Sequence, residues 1–255
     1  MAASLSITGL AGVPLVQEGD DLAAIALAAY AATALSPADG DVLVVAQKIV
    51  SKAEGRIVEV ASVEPSAEAV ALAAEVEKDP RLVEVILSES RRIVRHRPGL
   101  MIAEHKRGWV MANAGIDHSN VAPDDGHERV LLLPLDPDAS AEALRRKLIE
   151  QTGRRIAVVI SDSFGRPFRH GTVGIALGAA GLPAMIDWRG HPDLFGRTLE
   201  VTITGFADEI AAAASLVQGQ ADEATPIVLV RGLRWSAPDS PAAALVRPPE
   251  YDLFR

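Results

Sequence analysis

The chain has no cysteine among its 255 residues. That removes disulfides, thiolate metal sites, iron–sulfur clusters and a cysteine nucleophile from consideration. It agrees with a reducing compartment, and a cytoplasmic location is expected. Met1 to Gly9 carry neither a basic n-region nor a long apolar h-region, so no signal peptide is expected. The longest apolar run, Leu22 to Leu35, is mostly alanine. It is shorter than the roughly 20 residues that a bilayer-spanning helix needs, so it reads as a packed helix and no membrane partner is expected.

Positive charge is also scarce. The formal net charge is −9, which argues against nucleic acid as the main partner, because phosphate binding draws on clustered Lys and Arg. An acidic chain can still take an anionic nucleotide when metal ions mediate the contact. Arginine far outnumbers lysine among the 25 basic residues, and a GC-rich genome accounts for that.

The familiar nucleotide and hydrolase fingerprints are missing too. There is no G-x-x-x-x-G-K-[ST] and no G-x-G-x-x-G opening a helix after a strand. Gly171, Gly174, Gly178 and Gly181 have the wrong spacing for the latter, and read as close helix packing or a flexible loop. His96, His105, His118, His127, His170 and His191 form no H-x-x-x-H pair, so a zincin-type site is unsupported. No G-x-S-x-G elbow occurs.

What is present is an ordinary globular composition, 49% hydrophobic and 23% charged, long enough for one large domain or two small ones without covalent staples. Asp20-Asp21 precede the alanine-rich helix and suit its N-terminus. Asp41–Val45 and Ile156–Ile160 read as buried strands. Arg56–Val60, Val130–Leu133, Glu200–Thr204 and Ile227–Val230 also read as extended, and Leu100–Ala103 with Trp109–Ala112 read as a hairpin. Helices are expected from Ser66 to Lys78, Arg81 to Ser90, Ser140 to Thr152 and Asp208 to Val217. Arg91–Arg97 reads as an irregular basic segment and Ser161–Gly181 as a long glycine-rich polar segment. Helices and strands interleave without a regular βαβα rhythm. The expectation is an α+β fold of mixed helices and sheets, one domain over 1–255 with no clean internal boundary.

Three segments could carry chemistry. Ser161-Asp162-Ser163 stands at the end of the clearest strand, where carboxylate and hydroxyl oxygens suit a hard cation such as Mg²⁺ or Mn²⁺. An Asx turn is the alternative there. Asn113-Ala114-Gly115-Ile116-Asp117-His118-Ser119-Asn120 offers Asp117 to a metal and Asn120 to a nucleotide, or else is a solvated turn. Gln47-Lys48-Ile49-Val50-Ser51-Lys52 follows a strand and offers two ammonium groups to phosphate, or else two solvated lysines.

Together with Val13-Pro14-Leu15, Glu18-Gly19-Asp20-Asp21-Leu22, Gly165-Arg166-Pro167-Phe168-Arg169, Ala207-Asp208-Glu209-Ile210-Ala211, Gly219-Gln220-Ala221 and Val230-Arg231-Gly232, these segments resemble, in order, the coenzyme F420-0:L-glutamate ligase family, also called F420 γ-glutamyl ligases. The resemblance implies an F420 ligase-like α+β fold in an intertwined homodimer. It implies GTP-dependent joining of L-glutamate to the lactyl carboxylate of coenzyme F420-0 through an acyl phosphate, giving F420-1 and in some members the γ-linked F420-2. It implies two divalent ions, Mg²⁺ or Mn²⁺, held by Asp117, Asp162 and Ser163, with Gln220 as a further ligand. It places Val13, Pro14, Leu15, Val16, Gln47, Lys48, Lys52, Asn120 and Gln220 at the nucleotide and gives Lys52 a catalytic charge. Two departures stand out. The family usually has threonine where this chain has Ser163, and often Ser or Thr near Gln47 and Lys48. Arg166 and Arg169 are either anion contacts or surface arginines. The chain resembles the stand-alone form, without the nitroreductase-like extension of some relatives.

Overall fold

The computed structural model describes residues 4–118, 121 and 126–253. The elements run β1 (Ser6–Gly9), α1 (Leu22–Ala32), β2 (Val42–Ala46), α2 (Gln47–Ala53), β3 (Ile57–Glu59), α3 (Ala67–Val76), α4 (Pro80–Ser88), β4 (Ser90–Arg97), β5 (Leu100–His105), β6 (Val110–Ala112), β7 (Arg129–Leu131), α5 (Pro137–Thr152), β8 (Ala157–Arg166), β9 (Arg169–Ala180), β10 (Ile186–Asp187), β11 (Ile203–Thr204), α6 (Phe206–Gln218) and β12 (Ile227–Arg231). This is the expected α+β class.

Local chemistry sets the helix ends. The Asp21 carboxylate accepts from Ala23 N at 3.1 Å and starts α1. Ser66 caps α3, and Asp79 caps α4 with Pro80 in the first turn, where its missing N–H costs nothing. Gly153, in the left-handed region, ends α5.

The main sheet has the order β1-β12-β2-β8-β9. Only β2 and β8 are parallel neighbours; the other pairs are antiparallel. Val42–Val45 and Ala157–Ile160 are buried on both faces, which is why these runs are continuously apolar. Helices α1 and α5 cover one face and α6 the other, and together with the sheet they make the main core. A second core, built between β2 and β8 in the chain, gathers α3, α4, β5 and β7 around Ile86, Met101 and Val130. Trp109, Met111, Leu133, Phe164 and Leu177 join it to the main sheet.

Two segments differ from expectation. Arg91–Arg97 lies in the strand β4, on the edge of the sheet β4-β5-β6. Register shifts at Ser90/Arg92 and Ile93/Arg95 break its alternation, and its side chains are mostly exposed, so no apolar pattern marked it. Ser161–Gly181 is no loop: it forms most of the long hairpin β8–β9. Its glycines are there for close approach. A Cβ at Gly178 would stand 2.2 Å from Pro137 O, and one at Gly174 would stand 2.4 Å from Ala211 O, so α5 and α6 lie directly on the β9 backbone. Close helix packing is thus the correct reading for these two residues. Gly178→Ala is expected to destabilise the fold by about 1–3 kcal/mol through overpacking, measured by urea unfolding. An unchanged midpoint would mean that α5 can shift at no cost. Within Glu200–Thr204, only Ile203–Thr204 pair as a strand, with β10.

Candidate functional site

The sheet opens where β2 and β8 part. They pair as far as Ala46 and Ser161. There β2 turns directly into α2, while β8 continues to Arg166 in its antiparallel pairing with β9. Among the described residues, no strand pairs with the edge of β8 from Asp162 onward on the side β2 has left. This is the carboxyl end of the parallel pair, a usual place for ligands in open sheets.

Asp162 and Ser163 lie within β8, opposite Ile175 and Gly174, rather than beyond its end. Consecutive strand residues point to opposite faces, so carboxylate and hydroxyl flank the free edge from two sides. Ser163 N donates to Asp162 Oδ1 at 2.8 Å, the local bond that the turn alternative required. Asp117 comes from the second core. Its backbone exchanges hydrogen bonds of 3.0 and 2.9 Å with Leu131, after a turn in which Asn113, Ala114 and Gly115 all have positive φ.

Helix α2 brings the cations. Lys48 Nζ stands 2.7 Å from Asp117 Oδ2. Burial pushes the Asp162 carboxyl up to about 6; the Ser163 amide opposes this, the Asp117 charge adds to it and Lys48 counters it. Lys52 is held below the ordinary lysine range, first by burial and then by Lys48. Two carboxylates and two ammonium groups, drawn from three separate segments, thus share one electrostatic neighbourhood.

The other expected residues fall differently. Gln47 is buried, its Oε1 accepting from Ser51 Oγ at 2.9 Å one helical turn on. Val16 is buried and Val13 half-buried, while Pro14 and Leu15 are exposed. This segment is tied to the end of α2 by Gly19 N donating to Ala53 O at 2.9 Å. Gln220 is exposed in the turn after α6. Arg166 donates from Nη1 to Gly171 O at 3.3 Å across the hairpin, and Arg169 is exposed. Asn120 lies outside the described residues.

The residue that sequence reasoning missed is Gln218. From the last turn of α6 it reaches β8, its Oε1 accepting from Ser161 Oγ at 3.3 Å. Its Nε2 is buried with no hydrogen-bond partner among the described residues, as is Asn113 Oδ1. Only the helical register of α6, which aims Gln218 at the sheet, could have marked it.

Among the described residues, no three His, Asp or Glu side chains gather to hold a metal unaided. The donors on hand are all oxygens: Asp117, Asp162 and Ser163. Such a set fits a hard divalent cation that takes its remaining ligands from water and phosphate.

Fold and site define an α+β protein with two carboxylates and two lysines gathered where β8 runs on beyond its pairing with β2. The chain belongs to the F420-0:gamma-glutamyl ligase family, whose model matches residues 12–232. Relatives named coenzyme F420:L-glutamate ligase are similar over nearly their whole length. The protein of Methanothermobacter thermautotrophicus is 49% identical, over 98% of this chain and 99% of its own. That of Methanopyrus kandleri is 48% identical, over 95% and 96%. That of Archaeoglobus fulgidus is 45% identical, over 96% and 94%. Among the described residues, no helix is long and apolar enough to cross a membrane.

Proposed function

We propose that this protein is a GTP-dependent ligase that joins L-glutamate to the lactyl carboxylate of coenzyme F420-0. The observation that carries this reading is the convergence of Asp117, Asp162, Lys48 and Lys52 on the free edge of β8, in a chain whose relatives bear that name along their full length.

A carboxylate does not acylate an amine at neutral pH until one oxygen becomes a leaving group. In the proposed reaction the lactyl carboxylate attacks the γ-phosphorus of GTP and the bond to the β-phosphate oxygen breaks, giving an acyl phosphate and GDP. The glutamate amine then attacks the acyl carbon, loses a proton and expels phosphate. Both steps gather negative charge on phosphoryl oxygens, so catalysis is mainly positioning and charge neutralisation. Lys48 and Lys52 supply fixed positive charge, with Lys52 nearest to a catalytic role. Asp117, Asp162 and Ser163 would hold one or two divalent ions, with Gln220 as a further ligand, and the ions would supply positive charge to offset that of the phosphates. Val13, Pro14, Leu15, Val16, Gln47 and Asn120 complete the proposed nucleotide site. The same chemistry gives F420-1 with one glutamate and, where a second amine attacks the activated γ-carboxylate of the first, the γ-linked F420-2.

A homodimer is part of the proposal. Trp188, Leu194, Phe195, Val201 and Ile203, in and around the β10–β11 arm, are exposed apolar side chains that a second copy would cover.

The test is mass spectrometry of purified protein with F420-0, L-glutamate, GTP and Mn²⁺, with and without EDTA. The expected result is a product heavier by one or two glutamyl units that EDTA abolishes. No adduct from folded protein that binds GTP would overturn the assignment of the acceptor. Equal turnover in EDTA would overturn the metal's role.

A further inference from the structure

A recess opens at the opposite end of the pairing between β2 and β8. It lies where the chain enters β2 and β8, and has a volume of about 560 Å³, within the range of small-ligand sites. Arg145, Arg155 and Arg234 line it, with Trp235 and Asp239. Three guanidinium groups beside one carboxylate make this a positive concavity on a chain of net charge −9.

The arginines are only partly spent on internal partners. Arg145 Nε is buried and has no hydrogen-bond partner among the described residues. Its Nη1 reaches only Glu142, at 3.2 Å. Its place depends on Gly181, where a Cβ would stand 2.3 Å from Arg145 Nε. Arg155 is 86% exposed and touches Asp39 at 4.0 Å, the limit of an ion pair. Arg234 is exposed and has no ion-pair partner among the described residues. Trp235 is half-buried and steadied by Phe206, with ring centroids 6.0 Å apart, so its indole is a fixed wall.

We infer that this recess is a binding site for a small organic polyanion. Guanidinium forks match carboxylate and phosphoryl oxygens, and an indole wall takes the flat or apolar part of the ligand. Asp239 accepts a hydroxyl or ammonium of the ligand and weakens the hold on simple inorganic ions. The site cannot serve the reacting groups. From Ala157 to Asp162 the strand rises about 16 Å, so the recess and Asp162 lie at opposite ends of the stretch in which β8 pairs with β2.

The probes are citrate and pyrophosphate, titrated by calorimetry into the full-length protein in EDTA, which removes metal-dependent binding at the other end. At least one probe is expected to bind, and its affinity to fall with added salt. Arg234→Gln, at an exposed position, and Arg145→Gln are each expected to weaken it about tenfold. Asp162→Asn is expected to leave it unchanged. Citrate alone binding marks a polycarboxylate ligand; pyrophosphate alone marks a phosphoryl ligand. The inference is overturned if neither probe binds at millimolar concentration, if Arg234→Gln binds as tightly as the parent, or if Asp162→Asn abolishes binding. None of these outcomes bears on ligase turnover, which the mass-spectrometric assay tests separately.

Discussion

Asp162→Asn is expected to cut ligase turnover about a thousandfold or more and, in EDTA at pH 8, to raise the melting temperature. The loss follows from the proposed metal role: asparagine keeps the shape and one oxygen but removes the charge that a hard cation requires. The gain follows from burial. In the folded chain the Asp162 carboxyl sits at about 6, against 3.8 for an unperturbed aspartate, because burial and the Asp117 charge disfavour ionisation. Its contribution to stability is therefore fully present below about pH 4 and is lost as pH rises through about 6. Asp162 keeps some solvent access, so the loss is at most about 3 kcal/mol. Asparagine carries no such charge. The variant should match the parent near pH 4 and exceed it at pH 8, read by thermal unfolding at both values. Full turnover in the variant would remove Asp162 from the proposed mechanism. A lower melting temperature at pH 8 would mean that Lys48 and the Ser163 amide already hold the carboxylate favourably.

Arg231→Met is expected to cost about 3–5 kcal/mol, the largest stability loss of any single change considered, because it strands a buried charge. Asp41 has no exposed surface and lies at the start of β2. It accepts from Arg231 Nε at 2.7 Å and Nη2 at 2.8 Å, from Tyr30 Oη at 2.9 Å and from Ala38 N at 2.9 Å. Burial and the Asp41 charge push the Tyr30 hydroxyl far up, so it stays a donor throughout the working pH range. Without the guanidinium, two neutral donors remain for a desolvated carboxylate. Adding Asp41→Asn to the variant should restore much of the loss, since the network is then neutral. Urea unfolding of both variants checks this. A loss below about 1 kcal/mol in Arg231→Met would show that water reaches Asp41 readily.

The same network shows what the sequence made legible. Asp41–Val45 and Ile156–Ile160 announced themselves because strands covered on both faces are apolar throughout. The caps at Asp21 and Ser66 were readable because they act within three residues of themselves. Val230-Arg231-Gly232 was readable only as part of a family pattern, and its physical role is to neutralise Asp41 from the neighbouring strand. The hairpin β8–β9 was hidden because Gly174 and Gly178 serve helix contact, and so look like loop composition. At the candidate site, Lys48, Asp117 and Asp162 were each visible as polar residues after strands. That Lys48 meets Asp117 was not, because no local rule links a helix after β2 to a turn after β6. Gln218 escaped because its partner, Ser161, lies on a strand distant in the chain.

The parallel pairing of β2 with β8 has a consequence for the order of events at synthesis. Val42 meets Ala157, and everything from α2 through α5 is made between them. The second core draws only on residues within that interval, so it can form while the ribosome is still making the rest. The main sheet must wait, since closing so long a stretch is slow and β8 is needed to fill its centre. Lys48 and Asp117 therefore leave the ribosome well before Asp162 can join them. A chain arrested before β8 would carry three of the four charged groups and lack the strand that brings the fourth to them.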